Sequence, residues 1–200
     1  MAFTFFFRDH DTLARAVEHF VPDATGRSRI RVWDAGCAMG QEPYTLAILL
    51  AETLGHFAFR NVQIFATDYD EPLLKILRKG IYPQDELKRI PGDLFVKYFE
   101  PVGDNGHYRI IEKIRSAILP QHHDLLSFKP VRDSFGMVIC KNVLLHFQYQ
   151  ERIEVFKMFH RAMEPGGLLA TEHTQKLPVE VSHLFAQVVP DGQLFRKVAA

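Results

Sequence analysis

Apolar runs of strand length alternate with stretches of helical spacing along this sequence, and that alternation admits few architectures. Strand-like runs begin at Arg31-Val32-Trp33 and recur at 61–68, 116–124, 135–142 and 167–175. Between them, 43–54, 71–80 and 150–164 carry apolar residues at helical intervals, and 9–20 does so ahead of the first run. Pro43 stands near a helix start, Gly55 and Gly80 stand at helix ends, and Pro165-Gly166-Gly167 stops the last helix. An acid at the start of 9–20 reads as a cap for that helix. Helices of 10 to 15 residues between strands imply a mostly parallel sheet covered on both faces. The expected fold class is therefore α/β, doubly wound.

Two stretches depart from this alternation. Residues 81–115 hold a helical piece, an Asp-Asn-Gly turn and short alternating strands, which reads as a small α+β insertion. Near the end, Asp191-Gly192 lies between two strand-like runs and predicts a C-terminal antiparallel hairpin at a sheet edge. At 200 residues the chain suits one domain, 1–200, with 81–115 as a subdomain inside it.

Composition narrows the partners. Twenty-four basic residues balance 24 acidic ones, and the basic pairs do not join into a stripe, so a nucleic-acid partner is not expected. No long uncharged apolar run or signal peptide is present, so membrane insertion is not expected and the cytoplasm is. Cys37 and Cys140 lack metal-ligand spacing and are expected to stay reduced thiols. His122 and His123 are adjacent on a strand, a poor metal pair, and no metal is assigned.

The candidate site centres on residues 33–44, WDAGCAMGQEPY. In a doubly wound sheet, ligands sit beyond the carboxyl ends of the strands, near the first turn. Gly36 and Gly40 would let the backbone approach a ligand closely. Asp68 closes the second strand, where a carboxylate can accept both hydroxyls of a ribose. Two readings stand on these residues alone: a ligand cradle, or a tight strand-to-helix turn and nothing more. Gly-x-x-x-Gly lacks the third glycine of the dinucleotide fingerprint, and no Lys-Ser pair follows as in a phosphate loop. Glu42, at a helix start, repels a pyrophosphate and can pair with an ammonium. A ligand held by a ribose and an amino-acid end fits, which points to S-adenosylmethionine.

Seven segments in order resemble the chemotaxis-receptor methyltransferases (CheR-type), which form glutamate methyl esters from S-adenosylmethionine. They are TFFFRD (4–9), DAGCAMGQEPYTLAILL (34–50), ATDYDEPLL (66–74), GIYP (80–83), HDLL (123–126), CKNVLLHF (140–147) and EPGGLL (164–169). The resemblance implies a Rossmann-like class I methyltransferase fold, with S-adenosylmethionine as cofactor and S-adenosylhomocysteine as product. It implies an acceptor protein, a chemoreceptor or signalling protein, and says nothing of oligomeric state. It places Thr4 and Arg8 over the cofactor and transfer site. Ala35, Gly36, Gly40, Gln41 and Glu42 fall in the cofactor turn, and Asp68 at the ribose. Asp124 and Leu125 fall near the adenine, Lys141 and Asn142 beside the methionine end, and His146 near the methyl-transfer site.

The sequence departs from the family pattern at several of these positions. Gly-Gln-Glu-Pro-Tyr replaces Gly-Glu-Glu-Pro-Tyr at 40–44, Asp124 replaces Asn, Lys141 replaces Arg and His146 replaces Tyr. The family's N-terminal helical domain is expected to be missing. Arg8, whose fork grips carboxylates, is the candidate to hold the acceptor. His146 has three readings: a hydrogen-bonding group, a base for an acceptor that must lose a proton, or a satisfied histidine at a strand's end. Two other functions remain open at this stage: a binding module with little activity, and a methyltransferase for another acceptor.

Overall fold

The computed structural model describes residues 4–172 and 176–198. Its main sheet has seven strands: β1 (Ile30–Ala35), β2 (Val62–Asp68), β6 (Ile118–His122), β7 (Phe135–Cys140), β8 (Met163–Thr171), β9 (Phe185–Gln187) and β10 (Leu194–Lys197). Their order is β6-β2-β1-β7-β8-β10-β9. The first five pair in parallel, while β10 runs antiparallel to both of its neighbours. Every residue of β7 is buried, as a central parallel strand covered on both faces requires.

The two faces are packed by different helices. Ile30 and Val32 of β1 join Leu13, Val17 and Phe20 of α1 (His10–Ala24) and Leu46 and Leu50 of α2 (Gln41–Phe59). Trp33 and Ala35, the alternate residues, join Phe156 and Phe159 of α6 (Tyr149–Ala162) on the other side. Trp33 Nε1 donates to Thr67 Oγ1 at 2.9 Å, so the buried indole keeps its hydrogen bond.

Several expected boundaries shift. Helix α1 runs on to Ala24 with Pro22 inside it. Asp9 stands at its N-cap with φ 48°, yet makes no capping hydrogen bond with its side chain. Helix α2 starts two residues earlier than Pro43 and resumes beyond Gly55, whose φ of 74° and ψ of 161° break it. Only glycine reaches that conformation without strain. Helix α3 (Glu71–Lys79) ends at Gly80 as expected. Helix α6 stops at Ala162, and Met163 to Pro165 already belong to β8. The expected strand over 167–175 is seen to Thr171; residues 173–175 lie outside the described residues.

The closing hairpin forms, but not as a two-residue turn. Six residues separate β9 from β10, and Gly192 N donates to Val189 O across Pro190-Asp191. Strand β10 is also not the edge: it inserts between β8 and β9.

Residues 81–115 build a second sheet, β3 (Ile81–Pro83), β5 (His107–Ile110) and β4 (Phe99–Val102), in the order β3-β5-β4 and antiparallel throughout. The Asp104-Asn105-Gly106 turn joins β4 to β5, and α4 (Gly92–Tyr98) and the one-turn α5 (Glu112–Arg115) accompany them. Tyr82 of β3 donates its hydroxyl to Met39 O at 2.6 Å, tying this sheet to the glycine turn.

Candidate active site

Strand order reverses between β1 and its neighbours: the chain leaves β1 toward β2 and β6, then returns to β7 on the other side. Ligands of such sheets bind at the crevice this reversal opens beyond the strand ends. A cleft of about 430 Å³ lies there. Gly36 after β1, Asp68 at the end of β2, and Lys141 with Asn142 after β7 line it. Thr4 and Arg8 line it from the N-terminal segment, Glu42 from α2, and His146 from the segment after β7. A second hollow of about 400 Å³ shares Gly36 and Asp68 and is lined by Asp124 and Leu125. Of the thirteen expected site residues, ten therefore converge on one continuous cleft.

Three do not line it. Ala35 is buried at the end of β1. Gly40 faces the second sheet: a Cβ there would lie 2.8 Å from Tyr82 Oη and 2.9 Å from Leu77 Cγ. Gln41 is fully buried and donates through Nε2 to Glu86 Oε2 at 3.0 Å. These residues shape the turn from behind. Gly36 lines the cleft, but its φ of 95° and the collision of any Cβ with Val143 Cγ2 also make it a packing requirement.

The turn's own hydrogen bonds test which ligand fits. Gly36 N and Cys37 N both donate to Thr67 O, at 2.8 and 2.9 Å, and Ala38 N donates to Asp68 Oδ2 at 2.8 Å. Three successive N–H groups are thus committed to the end of β2 and do not cradle a phosphate. Asp68 Oδ1 accepts from Asp70 N at 2.9 Å, so each oxygen of this carboxylate has one backbone donor and keeps a second lone pair. Such a carboxylate is rigid and can still accept ribose hydroxyls. The residues present fit S-adenosylmethionine and do not fit a pyrophosphate.

Acids dominate the floor. Lys141, its side chain fully buried, bridges Glu42 Oε2 at 3.1 Å and Asp9 Oδ2 at 3.3 Å. Burial pushes the Glu42 carboxyl up, against the pull of Lys141. Below it Asp34 is wholly buried, with neither oxygen meeting a partner among the described residues. Burial, and then the nearby Glu42 charge, push its carboxyl well above the usual range. Burial and the charges of Asp34 and Asp68 likewise push the Cys37 thiol up, so this cleft-lining cysteine is no nucleophile.

Around the second hollow, Asp124 Oδ1 accepts from Leu126 N at 2.8 Å and starts a short 3-10 turn. His122 lies 5.7 Å from the Tyr69 ring and His123 5.5 Å from the Trp33 ring, so the two do not face one ligand. Burial lowers the His123 pKa. His146 is exposed at the mouth, and Asn142 takes φ 59°, a left-handed turn that asparagine tolerates.

Sequence reasoning had not singled out Asp9, Asp34, Val143 or Glu172 for this site. Glu172, buried after β8, is pushed up by burial and held back by backbone groups including those of Asn142 and Leu145. Asp9 was visible only as a helix cap. Asp34 carried a signal, an acid in an apolar strand next to the turn.

Comparisons with known proteins give the family and the fold. Residues 2–191 match the CheR methyltransferase SAM-binding domain. A probable chemotaxis protein methyltransferase of Rhizobium etli is 26% identical over 93% of this chain and 72% of its own length. A chemotaxis protein methyltransferase of Borreliella burgdorferi is 29% identical over 87% of this chain and 64% of its own. The chain thus spans about two thirds of the curated relatives it matches. In fold it is similar to a TehB-like SAM-dependent methyltransferase from Corynebacterium glutamicum, with a TM-score of 0.51 at 13% identity over 93% of this chain and 85% of that one. By its family match over almost its whole length, this chain belongs to the CheR methyltransferases and is their SAM-binding domain.

Proposed function

We propose that this chain is an S-adenosylmethionine-dependent O-methyltransferase that forms methyl esters on glutamate side chains of a chemoreceptor or other signalling protein in the cytoplasm. The observation that carries this reading is the division of charge in the cleft. Arg8 lines it from the N-terminal segment, while Asp68 and Glu42 line it from the sheet and α2. Arg8, whose Nε also meets Asp9 Oδ2 at 3.9 Å, brings positive charge for an anionic acceptor, and the two acids serve the hydroxyls and ammonium of a nucleoside–amino acid. Free thiols at Cys37 and Cys140 accord with a reducing compartment.

Each residue then has a role. Asp68 accepts from the ribose hydroxyls through its remaining lone pairs, and Glu42 pairs with the ammonium. Asp124 and Leu125 flank the adenine in the second hollow. Lys141, Asn142 and Thr4 border the methionine end, with Gly36 keeping the turn close. S-adenosylmethionine, when bound, supplies a methyl group on a sulfonium leaving group. A glutamate acceptor, with a reference pKa of ~4.3, is already an anion at neutral pH, so the site needs no base. It needs positioning, and Arg8 grips the acceptor carboxylate while His146 offers a hydrogen bond at the mouth. Residues 81–115 act as a small subdomain within a single domain.

The test combines binding with transfer. S-adenosylhomocysteine titrated calorimetrically is expected to bind, and Asp68→Ala to weaken binding at least tenfold, as loss of charged hydrogen bonds worth ~1.5–3 kcal/mol each implies. Unchanged binding in that variant removes Asp68 from the cofactor site. Tritiated methyl groups transferred to receptor cytoplasmic fragments should be released as methanol in alkali, as esters are. Alkali-stable label would rule out the carboxylate acceptor.

A further inference from the structure

We propose that residues 4–9 form a strap fixed across the cleft, and that Asp9 is the positioning residue that holds Arg8 there, its Oδ2 shared between the Arg8 guanidinium and buried Lys141. The inference rests on the methyltransferase reading and goes beyond it, assigning a task to a residue outside the cleft lining.

The strap is anchored at three points. Phe6 is fully buried, its ring edge-on to Tyr82 of β3 at 4.9 Å and to Phe99 of β4 at 5.7 Å. Phe7 N donates to Thr45 Oγ1 of α2 at 3.1 Å, and that hydroxyl in turn donates to Gln41 O at 2.7 Å. Asp9 Oδ2 reaches Lys141 Nζ at 3.3 Å, just beyond the end of β7. Arg8 lies between the second and third anchors, and Thr4 lies at the strap's start; both line the cleft.

Two backbone details indicate that the strap is held rather than merely resting. Phe7 and Asp9 both take left-handed conformations, φ 59° and 48°, although neither is glycine. Such geometry persists only where surrounding contacts impose it. Asp9 also stands at the N-cap of α1, where an aspartate side chain ordinarily accepts from the helix's own N–H groups. It makes no such bond. Its Oδ2 is shared instead between Lys141 Nζ at 3.3 Å and Arg8 Nε at 3.9 Å; the Lys141 side chain is fully buried, and its other partner is Glu42 of the cofactor turn. The chain Asp9–Lys141–Glu42 thus links the strap that carries Arg8 to the helix that lines the cofactor end. Asp9 is 46% exposed, so its substitution leaves no buried orphan, and Lys141 keeps Glu42.

Asp9→Asn, nearly isosteric, is the test. At saturating S-adenosylmethionine it is expected to lower kcat for carboxyl transfer at least tenfold, while the S-adenosylhomocysteine Kd stays within threefold of wild type. On a Lys141→Gln background the same substitution should still lower kcat, because the pairing of Asp9 with Arg8 remains, but at least threefold less than in the wild-type background. An equal effect in both backgrounds takes Lys141 out of the linkage and overturns the assignment, as does wild-type kcat in Asp9→Asn alone. Amide hydrogen exchange supplies a readout independent of activity. Exchange at Phe7 and Arg8 is expected to accelerate at least tenfold in Asp9→Asn, with the central strands unchanged. Undiminished protection there refutes the strap even if the wild-type protein methylates no carboxylate, an outcome that would separately sink the proposed function.

Discussion

At the residue scale, Gly36 shows how one position answers to two requirements. The sequence singles it out as a place where backbone must come close to a ligand. The structure finds a nearer reason: φ is 95°, and a Cβ would strike Val143 Cγ2. Val143 is part of the segment that carries Lys141 and Asn142 into the cleft, so the glycine sets how near β1 and β7 can bring their loops. Gly36→Ala is expected to destabilise the fold by more than ~2 kcal/mol, combining left-handed strain with overpacking. Urea denaturation of Gly36→Ala and of Gly36→Ala/Val143→Ala checks this. The second substitution should restore the overpacking part and leave ~1 kcal/mol or more of backbone strain. No recovery in the double variant would show that Val143 is not the obstacle. The partner of this glycine lies more than a hundred residues along the chain, and for that reason no local pattern announces it.

At the scale of elements, the parallel strands and the helices between them were legible because each carries its own periodicity and its own stop. What was not legible is contact between elements that meet only after folding. Gln41 is the clearest case. It stands where the CheR pattern has a glutamate, within the cofactor turn, yet it is the first residue of α2, fully buried against the second sheet's side. Its amide donates to Glu86, and a carboxylate in its place would meet a like charge. The departure is thereby matched by a partner in the 81–115 segment rather than by anything in the cleft. Gln41→Glu is expected to destabilise by ~1–3 kcal/mol near pH 8, through a buried charge without a donor. The loss should shrink near pH 4, where protonation supplies a donor again, and cofactor affinity should change little once the protein is folded. Denaturation at both pH values, with calorimetric titration of S-adenosylhomocysteine, tests the claim. A large loss of affinity in a fully folded variant would return Gln41 to the cofactor site. The Asp9 expectation failed for a related reason: its carboxylate meets Arg8 and Lys141, the latter remote in sequence, in place of the helix N–H groups.

At the scale of the whole molecule, a formal net charge of zero hides an uneven distribution. Asp9, Asp34, Glu42 and Asp68 gather around the cleft with Lys141 and Arg8, an arrangement that a count of charges cannot reveal. Asp34 is the least compensated, being wholly buried with two unpartnered oxygens. Its folded pKa stands well above the usual carboxylate value, chiefly from burial and then from Glu42. Between its unfolded value of ~3.9 and that raised value, the native state binds the extra proton. Its contribution to stability is therefore most favourable below about pH 4 and declines as pH rises through this window. Glu42, also raised, acts with the same sign and leaves part of the slope in place when Asp34 is removed. Asp34→Asn keeps the shape of the neutral acid and cannot ionise. It is expected to be more stable than wild type at pH 8, by ~1–3 kcal/mol, and to match it near pH 4. Urea denaturation across pH 4–8 measures the difference directly. A constant difference between the two proteins over that range would show that Asp34 takes up no proton on folding, and that its burial is balanced by a partner.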